Sequence, residues 1–354
     1  MKRAGILLVI VFFGATVFAQ TSPLSQAEYV KMLYEIQKVP STRTEVADAL
    51  RKRGIDFVLT DGLRGLTKSK AGNDENLLHA LEEADRRRQN PQGTKIPTKE
   101  DAGNTLEETR KNTLAAVGEM PDFVVKQQIQ RAIAYAGTGT FQNLDRLLVA
   151  VSYRSTGEED YRLLSMNGLA QNNPQSKSSY EEAGGTSSTG EFVTVLATIF
   201  KPESETKFDL VDGDMIRGRK VLVYDFAITR DRAHEQITSA GAITKDSTIA
   251  GMKGRIFIDR EKGRVLRIES EATEIPEGFP VRTAKRVIDY DWVKITDGTY
   301  LLPSLSDVRL TMREQGKTYE TRNVIHFKDY QKYGTEVVIR DDDVKPEPET
   351  KIKP

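Results

Sequence analysis

At Phe123 the spacing of apolar residues changes from helical to alternating, and it stays alternating almost to the end of the chain. Strand candidates follow at 123–133, 145–153, 161–166, 207–212, 219–228, 254–259, 264–272, 284–295, 299–302, 307–313, 318–328 and 335–340. So many short antiparallel candidates joined by tight turns predict one large curved antiparallel sheet or a barrel. With the helices expected before it, the fold class is α+β: a small N-terminal helical bundle, then the large curved antiparallel sheet.

The charged stretch Asp259-Arg260-Glu261-Lys262-Gly263 lies between two of these strands, in GRIFIDREKGRVLRIE. If Asp259 faces Val265, then Ile258 faces Leu266 and Ile256 faces Ile268, and the four aliphatic side chains share one face. Arg255, Phe257, Arg267, Glu269 and Glu271 take the other. The charges are then solvated residues of a hairpin loop over Arg260–Arg264, with Gly263 free to adopt a positive φ. The next hairpin runs VIDYDWVKI (287–295), turns through Asp297-Gly298 and returns as TYLLP, which Pro303 is expected to end. It places Ile288, Tyr290 and Trp292 on one face, with Asp289 and Asp291 opposite.

Residues 24–89 carry helical periodicity instead. Ser25…Glu28 and Thr42…Glu45 have capping-box spacing, Thr60-Asp61 and Asn73 or Asp74 offer two further N-caps, and Gly54 offers a C-cap. Pro40 separates the first two of about four helices. Arg86-Arg87-Arg88 closes the last, where basic charge complements the helix dipole. Residues 90–104 read as a linker by composition, and a long helix from Leu106 to about Glu119 stops at Pro121. Phe192, Val195, Leu196, Ile199 and Phe200 form a helical stripe behind a Ser188…Glu191 capping box; the β-branched content there favours a strand, and the stripe favours the helix. Gln171–Gly185 reads as a mobile loop and 341–354 as a disordered tail.

Lys2 and Arg3, the apolar run Ala4–Thr16 and Val17-Phe18-Ala19 have the grammar of a signal peptide, residues 1–19, cut before Gln20. The expected product is exported, periplasmic or secreted. It contains no cysteine, so neither a lipobox nor a disulfide is available. Lysine plus arginine number 52 and aspartate plus glutamate 52, a balance that argues against nucleic acid as a partner.

Catalytic machinery is not evident. His234-Glu235 begins like a zincin motif, but Thr238 stands where the second histidine belongs. Of the other two histidines, His79 is a helical residue and His326 alternates with Ile325 and Phe327 on a strand. No G-x-S-x-G elbow is present, and Gly137-Thr138-Gly139 lacks the context of a dinucleotide site. Asp212-Gly213-Asp214 reads as a hairpin turn in preference to a cation contact. The expectation is a protein that is not an enzyme and carries neither metal nor cofactor.

The helix followed by PDFVVKQQIQR (121–131), the hairpin GRIFIDREKGRVLRIE and DYDWVKITDGTYLLPSLSDVRL (289–310) resemble the periplasmic LolA/LolB/RseB-like group over about residues 105–340. GIDFVLTDGLRGLTKSKAGNDENLLHAL (54–81) resembles a helical module of exported acidobacterial proteins. The first resemblance implies a bent antiparallel sheet, an incomplete barrel (half-barrel) covered by helices, around an apolar cavity that holds acyl lipid or a lipoprotein. Ile256, Ile258, Leu266, Ile268, Ile288, Tyr290 and Trp292 are the candidate lining, unless they simply form a filled core with the helices. The alternative is an envelope scaffold or sensor that binds another envelope protein through the helical bundle.

Overall fold

The structure is a computed structural model that describes residues 22–72, 74–91, 97–138, 140–170, 191–192, 194–233, 236–240, 245–314 and 316–334. The candidate signal peptide, His234-Glu235, Gln171–Gly185, the strand candidate 335–340 and the C-terminal tail lie outside these residues. The chain divides into two compact units, Met1–Pro91 and Gln92–Pro354.

The first unit is helical: α1 (Gln26–Lys38), α2 (Arg43–Arg53), α3 (Asp61–Ala71) and α4 (Glu75–Gln89). Ser25, Thr60 and Asp74 cap α1, α3 and α4 by accepting the backbone N–H three residues on. Thr42 does not cap α2, because a 3-10 turn over Pro40–Thr42 runs straight into the helix and holds Thr42 in a helical conformation. Its hydroxyl donates instead to the Val39 carbonyl, at 2.8 Å. Gly54, at φ +67°, ends α2. The apolar faces meet in one core that includes Tyr29, Leu33, Leu50, Leu63, Leu77 and Leu81. Tyr29 is fully buried there and shares a 2.8 Å hydrogen bond with Thr67, so its hydroxyl is satisfied.

In the second unit α5 (Lys99–Ala102) falls where a linker is expected; Thr98 and Asp101 form its capping box. The helix α6 (Thr105–Gly118) precedes β1 (Phe123–Tyr135), β2 (Gln142–Tyr153), β3 (Glu159–Met166) and β4 (Leu169–Ala170). The stripe after Phe192 is helical, as α7 (Thr194–Phe200). Next come β5 (Lys207–Ile216), β6 (Arg219–Ile228), β7 (Gln236–Ala240), β8 (Lys245–Ile249), β9 (Gly251–Asp259), β10 (Arg264–Thr273), β11 (Val281–Ile295), β12 (Gly298–Glu314) and β13 (Lys317–Lys332).

Eleven strands form one antiparallel sheet in the order β4-β3-β2-β1-β13-β12-β11-β10-β9-β6-β5, and β7-β8 is a separate ribbon. The large sheet is open, with β4 and β5 at its ends.

Three readings change. The hairpin expected through Asp297-Gly298 turns at Thr296-Asp297, because Gly298 already pairs with Ile295 as the first residue of β12. Asp212-Gly213-Asp214 lies inside β5, and the chain reverses at Arg217-Gly218. Pro303 does not end its strand: β12 continues through it, and a register shift between Asp289 and Tyr290 absorbs the residue that cannot donate. The freed groups find side chains. Ser304 donates to the Asp289 carbonyl at 3.1 Å, and Tyr330 to the Pro303 carbonyl at 2.7 Å.

Candidate functional site

One row of paired residues runs across the face of the sheet that the helices cover, here the inner face. Tyr224 on β6 faces Ile256 on β9, which faces Ile268 on β10, then Ile288 on β11 and Ser306 on β12. Ser306 faces Ile325 on β13, which faces Ile129 on β1 and then Leu147 on β2. Paired residues project to the same side, so the row is continuous, and every member is buried. Ser306 has no hydrocarbon branch to offer. It sits near the middle.

Two apolar clusters build up on the row. One joins Ile256, Ile258, Val265, Ile268, Ile288 and Tyr290 to Leu106 and Leu114 of α6 and to Val195, Leu196, Ile199 and Phe200 of α7. The other joins Phe123, Val125, Ile129, Val149, Ile325 and Phe327 to Val117 of α6, Met120 and Phe192. Helix α6 therefore touches both. Phe192 meets Phe123 edge-on with ring centroids 5.4 Å apart and Phe327 likewise at 5.6 Å.

Five of the seven candidate lining residues come together in the first cluster: Ile256, Ile258, Ile268, Ile288 and Tyr290. Leu266 does not. The pairing is Asp259 with Arg264 and Val265 with Ile258, and one extra residue at Leu266 restores Ile268 opposite Ile256. A one-residue bulge turns the side chain to the other face, where Leu266 packs with Ile216, Val221, Val223 and Phe257. Trp292 stands outside the cluster too: it is half-buried, with the Lys262 ammonium 4.9 Å from its ring centroid.

The charged loop is a turn. It comprises residues 260–263, one shorter than expected, and Gly263 has φ +55°. The Asp259 carboxylate accepts the N–H of Glu261 at 2.9 Å and of Lys262 at 3.3 Å, and Arg219 donates to it as well. Burial opposes the charge on Asp259, but these donors outweigh it and hold the carboxyl below its ordinary value.

Polar residues missed by the pattern lie between the apolar ones. Gln127 interrupts the inward series Phe123, Val125, Ile129 and faces Phe327 and Val149. Among the described residues neither its amide nitrogen nor its amide oxygen has a hydrogen-bond partner, and the same holds for the hydroxyls of Ser306 and Tyr290. All three residues are fully buried. Glu191, directly before Phe192, is a buried carboxylate whose charge acts on Tyr290 and Tyr330. Burial raises both phenols far above their ordinary value, and Glu191 adds to the rise; Arg286 works the other way at Tyr290. Two residues along the strands from the apolar row, Arg286 on β11, Asn323 on β13, and the ion-paired Arg131 and Asp145 on β1 and β2 make a second row mostly polar, interrupted on β12 by the buried Val308.

The outer face holds cross-strand ion pairs, among them two between directly opposite residues and one, Arg322 with Asp307, on the diagonal. Arg267 grips Asp289 across β10 and β11, Arg255 reaches Asp225 across β9 and β6, and Arg322 binds Asp307 across β13 and β12. His326 lies in the same row as Asp289, opposite Leu305 and Gln128.

No protein-family model matches the chain, and no curated protein matches it. Among solved structures, a DUF1329 family protein from Desulfovibrio piger aligns at TM-score 0.30 and 7% identity, over 69% of this chain and 98% of that one. MucB in complex with MucA(peri) aligns at TM-score 0.17 and 9% identity, over 64% and 94% of the two chains. The MucA/MucB complex of Pseudomonas aeruginosa aligns at TM-score 0.17 and 10% identity, over 63% and 94%. Overlaps this loose assign no activity.

Proposed function

We propose that this is an exported, non-catalytic binding protein of the LolA/LolB/RseB-like kind, which takes up acyl chains of a lipid or lipidated protein on the inner face of its open sheet. The observation that carries the reading is the roof of the apolar row. Ile256, Ile258, Ile268 and Ile288 are covered by α6 and the seven-residue α7, with no second sheet above them among the described residues. Side chains of α7 and Phe192 fill the space in this form, and moving them aside uncovers a continuous aliphatic floor. An acyl chain replacing them regains the burial at about 25 cal/mol per Å², less the ordering cost. Among the described residues no helix is long and apolar enough to cross a membrane.

The engaged carboxylates support a non-catalytic reading. Asp289, Asp307, Asp225 and Asp259 each face a guanidinium, an arrangement suited to holding strands together.

Native mass spectrometry with lipid extraction of the purified chain tests the proposal. A co-purifying acyl species is expected, reduced by Ile258→Asn and unchanged by Leu266→Asn on the outer face, each compared only if it melts cooperatively. An apo mass that takes up neither added fatty acid nor phospholipid sinks it.

A second reading has its own observation: Tyr34, Val39 and Val58 of the helical unit are exposed at 47%, 48% and 62%. It makes that unit a docking module for an envelope protein. Loss of a defined partner on Tyr34→Ala and Val58→Ser, with acyl uptake absent, would favour it.

A further inference from the structure

A row of aliphatic side chains needs no hydroxyl in its middle, and a buried hydroxyl without a partner costs free energy. Ser306 is flanked on its own row by Ile288 and Ile325, all three fully buried, and its Oγ has no partner. Tyr290 lies two residues beyond Ile288 on β11, and its hydroxyl is bare. Gln127 lies two residues from Ile129, the row's β1 member, and faces Phe327, two residues from Ile325. Its amide is bare at both ends. These strands, β1, β13, β12 and β11, are consecutive neighbours in the centre of the sheet. Each missing hydrogen bond leaves the desolvation of a polar group uncompensated, and natural interiors leave few such groups without water or a ligand.

All three side chains can donate: an amide N–H₂, an aliphatic hydroxyl and a phenol. Ligand oxygens are what such donors bind, a carbonyl oxygen foremost among them. Resting on the acyl-chain reading above, we propose that Gln127, Tyr290 and Ser306 hold the neutral carbonyl linkage of the ligand, an ester or an amide, while its chain lies along the apolar row. A free carboxylate would bring an anion into a fully buried site whose three donors are all neutral, and burying an uncompensated charge costs far more than burying a neutral carbonyl. The linkage is thereby selected over a free carboxylate. Specificity of this kind comes from buried polar groups that stay unpaired with the wrong ligand.

The test uses the full chain with two defined amphiphiles, monoolein as the neutral ester and oleate as the carboxylate, titrated at pH 8. The expected result is tighter binding of monoolein by about fivefold, one hydrogen bond's worth. Gln127→Leu and Ser306→Ala should each remove most of that preference. They should also leave the ligand-free protein at least as resistant to urea as the wild type, since each deletes an unpaired polar group. Equal affinity for the two amphiphiles, or variants that keep the preference, overturns the assignment and leaves buried water as the partner of these atoms. If the wild type binds neither amphiphile, the acyl-chain reading falls and this assignment falls with it.

Discussion

Arg267 and Asp289 stand directly opposite each other on neighbouring strands and are joined by two parallel hydrogen bonds, Nε to Oδ1 at 2.8 Å and Nη2 to Oδ2 at 2.9 Å. The carboxylate is buried and the guanidinium mostly so, on the outer face beneath the apolar row. Removing either partner breaks the bidentate contact, and without Arg267 the Asp289 carboxylate keeps only the longer approach of Arg217, at 3.6 Å. Asp289→Asn or Arg267→Ala should cost about 3 kcal/mol in urea unfolding, the low end for breaking a buried pair. Arg267→Met combined with Asp289→Leu should recover most of that loss. A double variant as unstable as the sum of the singles would show that the pair contributes little through its charges.

Acid should weaken the sheet through Asp307 and Asp259. Burial opposes the charge on Asp307, and Arg322 and Arg309 more than offset it, so its folded carboxyl titrates below the ordinary value. Asp259 is shifted in the same direction. A depressed folded pKa means the unfolded chain binds protons first. The stability is therefore complete above the unfolded value, about 3.9, and drains away as pH falls through it toward the folded value. Urea midpoints measured from pH 6 downward should drop steeply below about pH 4. Asp307→Asn should start lower at pH 6 and fall less.

Gly254 is limited by space. A Cβ there would lie 1.9 Å from the Glu269 carbonyl oxygen, a backbone atom of the paired strand, so no rotamer change relieves the clash. Gly254→Ala should destabilise by about 3 kcal/mol or more, or prevent folding. Gly157 has open space around the same position, and only its φ of +90° resists a side chain. Gly157→Ala should therefore cost less, and thermal melts of the two variants make the comparison.

The helical unit allows a test of capping. Asp74 accepts the Leu77 N–H at 3.0 Å, whereas Thr42 makes no cap bond. Asp74→Ala should cost about 1 kcal/mol and Thr42→Ala close to nothing, although both positions carry N-cap residue types. Equal losses would contradict the assignment of Pro40–Thr42 as a continuous lead into α2.

Alternation carried much of the fold, because in a two-faced sheet each burial choice repeats every second residue. Ile256, Ile268 and Ile288 were legible that way, and so was the helical stripe from Phe192 to Phe200. Leu266 was not. A bulge adds one residue without disturbing the apolar pattern on either side of it, so the sequence on its own reads as an unbroken hairpin. Pro303 misled for a related reason: it cannot donate, but a register shift beside it lets the strand continue. QITSA and KDSTI, which form β7 and β8, hold too few apolar residues to announce a strand. The polar members of the candidate site divide likewise. Gln127 is a visible break in an inward-facing series. Ser306 becomes conspicuous only once β12 is seated between β11 and β13, a pairing no local pattern encodes.

The place of β13 in the sheet has a consequence for how the chain acquires its structure. The last of the described strands lies between β1, the first strand of the unit, and β12. Synthesised from its N-terminus, the chain makes β1 to β4 early and cannot join them to the remaining strands until residue 332 is available. Before that moment β1 and β12 both present open backbone edges, the state in which a nascent chain is most exposed to pairing with the wrong neighbour. Pairing across so long a sequence separation is intrinsically slow, and the two halves of the sheet join only through this final strand.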